Sequence, residues 1–182
     1  MRRTKTFMLL GITLIGLVSA HCLAADQAPS STVVSAPKWS VQVEEVNPGE
    51  VNLDPAFRVA IYENLITELG KSKIFEQVYR SGDRKASTQT ALLILKINVK
   101  NFQAGSETER AVTTVGGATK IKAEYSLQTR DGQTVKDGIV NANVRFFGDN
   151  MRVTHNLAHN VASMIKKSSL PDPVKSSESA GE

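Results

Sequence analysis

Histidines at 155 and 159 stand four residues apart in a segment whose apolar residues recur with helical period, so both rings can reach one ion. A zinc hydrolase of this type carries glutamate directly after the first histidine, as the general base. Here that position is Asn156. At about 100° of turn per residue, both imidazoles fall opposite the Leu157–Val161 stripe and close to Lys166. An ammonium is a poor neighbour for a metal cation, and no third ligand is marked by local spacing. The pair is expected to be an exposed polar face, and a metal-dependent or hydrolytic centre on His155 and His159 is the competing reading. No cofactor is expected.

Other candidates are weaker. Gly116-Gly117-Ala118-Thr119-Lys120 has the residue types of a phosphate cradle but not the spacing of a P-loop. Strand-like alternation follows it, where a P-loop requires a helix, so a turn between strands is expected. Glu44 and Glu45 alternate across a strand end and point to opposite faces. Glu107 and Glu109 fall in a polar turn. No serine sits in a Gly-x-Ser-x-Gly elbow. Arg110 follows Gly105-Ser106-Glu107 and precedes Ala111-Val112. It either pairs with Glu107 or Glu109 as a weak surface ion pair or meets a partner from a loop held by a rigid sheet.

These residues are carried by a simple set of elements. Trp39, Val41 and Val43 alternate with polar residues as a strand buried on one face. Asp54-Pro55 starts a helix, with Phe57, Ile61, Leu65 and Leu69 as its stripe and Gly70 as its stop. Ile74 to Arg80 reads as a second strand. Leu93, Leu95, Ile97 and Val99 form a third, and Ile121, Ala123, Tyr125 and Leu127 a fourth. Asp131-Gly132 turns the chain into Val140, Ala142, Val144 and Phe146, with a bulge near Gly138 where the apolar phase shifts. A further strand near Thr108 to Val115 is an option. The last helix follows Asp149, with Val153, Leu157, Val161, Met164 and Ile165 on one side. The order β-α-β-β-β-β-α predicts an α+β fold, a mostly antiparallel sheet of four to five strands with two amphipathic helices on one face.

Before the folded region, 38–167, lie an expected signal peptide, 1–24, and a linker, 25–37. A disordered tail is expected over 168–182. Arg2, Arg3 and Lys5 precede an uncharged apolar run from Phe7 to Val18, too short for a membrane span, and small residues follow. Cleavage is expected after Ala24. The chain has 22 Lys and Arg against 18 Asp and Glu, and loss of the leader lowers its formal net charge from +4 to +1. The high isoelectric point thus belongs to the leader, and no remaining stretch combines clustered cations with aromatic residues. Nucleic-acid binding is not supported.

Cys22 is the one cysteine, and cleavage after Ala24 removes it, leaving no disulfide, thiolate ligand or thiol nucleophile. Cleavage before a lipidated Cys22 would instead leave an outer-membrane lipoprotein, but His21 stands where the processing site favours a small residue. Membrane contact is expected only during export or through such a lipid.

The succession of the Leu93-x-Leu95 strand, Phe102-x-x-Gly105, Arg110, Gly116-Gly117 and Thr129-Arg130-Asp131-Gly132 resembles a bacterial domain-of-unknown-function family, number forty-four ten. Phe75-Glu76-x-Val78 and the closing helix fit the same pattern. The resemblance implies an exported envelope domain, often a lipoprotein, with no established activity. The sequence therefore points to a periplasmic or secreted, non-enzymatic domain that binds an envelope protein or serves an assembly. Its partner-binding candidates are Phe102, Gly105, Arg110, Gly116 and Gly117.

Overall fold

The computed structural model describes residues 38–112, 117–145 and 149–173. The leader, the linker, Cys22, Ala24, Gly116 and Phe146 lie outside the described residues. Trp39 and the alternating residues after it open a short strand, β1 (Ser40–Val43). The next element is helix α1 (Pro55–Ser72), where the Asp54 carboxylate accepts from the Ala56 N–H at 2.7 Å and proline fills the first turn. Gly70 does not stop this helix. The chain turns out at Lys73, which takes the left-handed conformation at φ 56°, and the Ser72 hydroxyl donates to the Leu69 carbonyl. Helical hydrogen bonding continues through Gly70 because its position is exposed and nothing crowds it.

The second strand, β2 (Val78–Arg80), is shorter than the run from Ile74 implied. A single helical turn, α2 (Arg84–Ser87), leads into the long strand β3 (Leu92–Gln103). Glutamates then open the short helix α3 (Glu107–Val112), where the sequence left room for a strand. Acidic side chains in a first turn favour the helix dipole, and this local preference prevails where no sheet neighbour is available. The remaining elements are β4 (Thr119–Gln128), β5 (Thr134–Val144) and helix α4 (Arg152–Lys167).

The five strands lie in the order β2-β1-β3-β4-β5. Strands β3, β4 and β5 pair antiparallel, as expected, but β1 pairs parallel with both β2 and β3. Parallel neighbours need a crossover, and α1 supplies it between β1 and β2. Strand periodicity is the same in either sense, so the pattern of residues did not carry this.

Both long helices cover one face, α1 over β1 and β2, α4 over β4 and β5. Beneath them Val41, Val43, Leu93, Leu95, Ile97, Val99, Ile121, Ala123, Tyr125, Leu127, Val140, Ala142 and Val144 are buried in one cluster. The side of α4 that packs is rotated slightly from the expected stripe: Ala158 and Ala162 are buried, while Met164 is 44% exposed. Small alanines let α1 approach closely, which turns Met164 outward. The bulge in β5 is at Val135, since Leu127 pairs with Lys136 and Gln128 with Thr134. Gly138 has another task. A methyl group there would stand 2.9 Å from the Tyr125 ring, so glycine leaves room for the tyrosine.

Beyond α4, residues 168–173 do not run free. Leu170 packs against the core, and Trp39 Nε1 donates to the Pro171 carbonyl at 2.7 Å.

Candidate functional site

On α4, His155 and His159 stand one turn apart with stacked rings, centroids 6.5 Å from each other. They are more than half exposed, yet they do not simply face solvent. Both flank Glu68 of α1, whose side chain is 10% exposed. His159 Nδ1 is 3.2 Å from Oε2 and His155 Nε2 is 3.5 Å from Oε1. Lys71 Nζ meets Oε1 at 2.8 Å. The ammonium expected beside the pair is thus Lys71, one turn along α1 from Glu68, and Lys166 borders the same groove.

The Lys71 hydrogen bond is the largest influence holding the Glu68 carboxyl below its ordinary value, opposed by burial and assisted by His159. An ion pair already takes up the one carboxylate between the rings. Among the described residues no group of three His, Cys, Asp or Glu is arranged to hold a metal ion. What the arrangement does is join two helices. It acts beside a second link, Asn64 Nδ2 to Thr154 Oγ1 at 2.9 Å.

Sequence reasoning missed Glu68 because it lies 91 residues from His159. The available signal was a lone glutamate interrupting the inner border of the α1 stripe, between Leu65 and Leu69.

Asn156, which replaces the hydrolase glutamate, has its own partner. Asn156 Nδ2 donates to the Asn143 carbonyl and Asn160 Nδ2 to the Asn141 carbonyl, each at 2.9 Å. Strand β5 is a sheet edge, and these amides occupy two of its outward carbonyls. The i,i+4 asparagines of α4 therefore guard the edge, and the i,i+4 histidines grip α1.

Phe102, Gly105 and Gly117 of the expected partner-binding set each meet neighbours within the fold. The Phe102 ring packs on Phe57 at 5.0 Å between centroids, at the margin of the core. The Gly105 N–H donates to Thr119 Oγ1 at 3.1 Å, and its carbonyl accepts from Asn150 Nδ2 at 3.3 Å. A side chain at Gly105 would run into the Gly117 carbonyl and the Ala118–Thr119 backbone. Thr119 is buried and donates to Asn150 Oδ1, and the Glu107 carboxylate accepts from the Asn150 N–H at 3.1 Å. Gly117 takes φ 69° just before β4. Gly117 and Ala118 thus lead straight into β4, whose first residue, Thr119, is tied to Asn150 just ahead of α4. Arg110 lies on α3, with its side chain outside the described residues. Arg130 of the Thr129–Gln133 turn donates to the Ala86 carbonyl at 2.6 Å, securing α2 to the hairpin.

The face of the sheet away from α1 and α4 carries Gln42, Lys96, Asn98, Lys100, Lys122, Glu124 and Ser126, exposed or half-buried. Lys100 Nζ meets Glu124 Oε2 at 2.9 Å. Toward β2 a small cluster of Tyr79, Ala86 and Leu92 forms under α2.

No family model matches the sequence, and neither does any curated protein. The resemblance to family forty-four ten therefore has no matching model behind it. Solved structures do share the fold. The PelC dodecamer from Paraburkholderia phytofirmans is 16% identical, with 71% of this chain and 92% of that one covered at a TM-score of 0.53. A Xanthomonas campestris protein of domain-of-unknown-function family 330 is 14% identical, with 80% and 92% covered at a TM-score of 0.47. Neighbours thus include a member of a bacterial family without assigned function. No helix among the described residues is long and apolar enough to cross a membrane.

Proposed function

We propose that this chain is an exported cell-envelope protein, periplasmic or secreted, that works without catalysis by binding a partner protein or building an assembly. The observation that carries this reading is the one-sided sheet. Helices cover one face of five strands, and the other presents mainly charged and amide side chains over β3, β4 and β5, with Ile94 and the exposed Ile139 among them. A broad, charged sheet surface suits protein recognition, where charge complementarity sets register and approach. Catalysis would favour a closed cleft with opposed titratable groups.

The PelC neighbour is a dodecamer, and self-association is the form of assembly that this likeness brings to the proposal. Phe102, Gly105, Arg110, Gly116 and Gly117 belong to the proposed contact region. Export rests on the charged and apolar leader, with processing after Ala24. The mass of the mature N-terminus distinguishes that cut from lipidation at Cys22.

The decisive experiment is light scattering of the purified mature protein, together with crosslinked capture from envelope extracts. A stable oligomer, or one repeatedly captured partner, is expected, and the double reversal Lys96→Glu with Lys122→Glu should abolish it. A strict monomer with no captured partner sinks the proposal.

A further inference from the structure

Outside the carboxyl ends of the parallel strands β1 and β2, beside the first two turns of α1, lies a cleft of about 430 Å³. Ligands of open α/β sheets enter at this position, because strand ends and helix starts diverge there. Val46, Pro55, Val59 and Tyr62 give the cleft an apolar wall, and Val59 is 62% exposed, an unusual state for a valine on a packed helix. Glu45, Arg58, Glu63 and Ser81 supply its polar part.

The charges in this wall are not equally engaged. Glu63 is held in a two-pronged pair by Arg80, at 2.5 and 2.7 Å, and the Arg80 guanidinium lies 5.8 Å over the Tyr62 ring. Hydrogen bonding to Arg80 holds the Glu63 carboxyl below its ordinary value. Tyr62 is fixed as well, since its hydroxyl accepts from the Ser81 N–H at 2.8 Å. Arg58 is different. Its Nε is covered and has no hydrogen-bond partner, and no ion pair involves its guanidinium among the described residues. A covered N–H without an acceptor loses its water and gains nothing in return. Asn98 Oδ1 and the Tyr125 hydroxyl are likewise covered without a partner, but of the three only Arg58 is cationic, and it lines this cleft.

We propose that Arg58 is the anchor of a binding site for a carboxylate carried on a small apolar stem. The planar guanidinium holds Nε–H and one Nη–H side by side, the fork that a carboxylate fills with two parallel hydrogen bonds once the side chain turns it to the cleft. The stem then lies along Val59, Pro55 and the Tyr62 ring. Glu45, which has no ion pair among the described residues, sets the charge limit. With Glu45 and Glu63 on the same wall, a monoanion is accepted and a dianionic phosphate is repelled. Glu45 borders both this cleft and the open sheet face, but Arg58 lines only the cleft, so the site does not depend on the protein-binding reading.

Such a carboxylate comes either from a free aliphatic acid or from the apolar C-terminal residue of a peptide, and the test separates them. The full chain, labelled with nitrogen-15, is titrated with octanoate, octanol and octyl phosphate. Parallel titrations use acetyl-Val-Leu with a free carboxylate and its C-terminal amide. Saturable shifts at Arg58, Val59, Tyr62 and Ser81 are expected with octanoate or the peptide acid, not with octanol or the amide, and more weakly with octyl phosphate. Whichever acid binds more tightly identifies the source.

Arg58→Gln should weaken binding about tenfold, the worth of a charge-assisted pair, and Arg58→Lys should recover only part of it. Glu45→Gln should tighten octyl phosphate more than octanoate. Dispersed spectra of each variant establish that it folds. Equal binding of octanol and octanoate, or binding unchanged in a folded Arg58→Gln chain, overturns the proposal.

Discussion

The two faces of the sheet are made from the same strands and differ in nearly every physical respect. Toward α1 and α4, side chains of β1, β3, β4 and β5 are aliphatic or aromatic and buried. Toward the open side, their immediate neighbours are mostly lysine, glutamate and amides, with Ile94 and Ile139 as apolar exceptions. One face holds the fold together through area removed from water, and the other is free to vary in charge without loss of structure. Packing and surface charge are thus separated by the pleat, one residue apart along each strand.

The sharpest way to break this comparison is at α4. Leu157→Ala should cost about 2–5 kcal/mol in urea unfolding, since it empties a fully buried site between α4 and the sheet. A loss below about 1 kcal/mol would mean that the covered face is loosely packed. Next comes Gly138→Ala, whose new methyl would meet the Tyr125 ring and should cost about 1–3 kcal/mol. The Tyr125 hydroxyl is covered there without a partner, and burial, with the Asp137 charge, holds it above its usual titration range.

Glu68→Gln tests the helix clasp by pH. The Glu68 carboxyl titrates lower in the folded chain than an ordinary glutamate at 4.5, so its stabilisation is present above about that pH. It is lost as pH falls through the lowered folded value. Thermal unfolding should therefore separate the variant from the parent at neutral pH, with the gap closing in acid. A gap independent of pH would remove the ionic part of the clasp formed with Lys71, His155 and His159.

Smaller still, Gly70→Ala should stabilise by about 0.5–1 kcal/mol, because the site is helical, exposed and uncrowded. On the open face, Glu124→Gln should shift stability by no more than about 0.5 kcal/mol, despite losing the Lys100 pair. A loss as large as that at Leu157 would erase the distinction between the faces.

Much of the fold is legible in the residues. The period of two in β3 and β4, the Asp54-Pro55 start of α1 and the Asp131-Gly132 turn each act over a few neighbours, so a short stretch of chain specifies them. The histidine pair was legible as a pair, and its surroundings were not. Phe102 and Gly105 stood out by type and spacing, but their contacts with Phe57, Thr119 and Asn150 arise between distant elements.

By itself the sequence determined where strands and long helices lie and which face of each is apolar, because hydrophobic period and capping are local properties of the chain. Only the tertiary structure decided that β1 runs parallel to its neighbours and that Glu68 stands between two histidines. It also decided that Asn156 and Asn160 close the β5 edge. Each of these depends on which elements meet in space, and periodicity within an element carries no record of its neighbours.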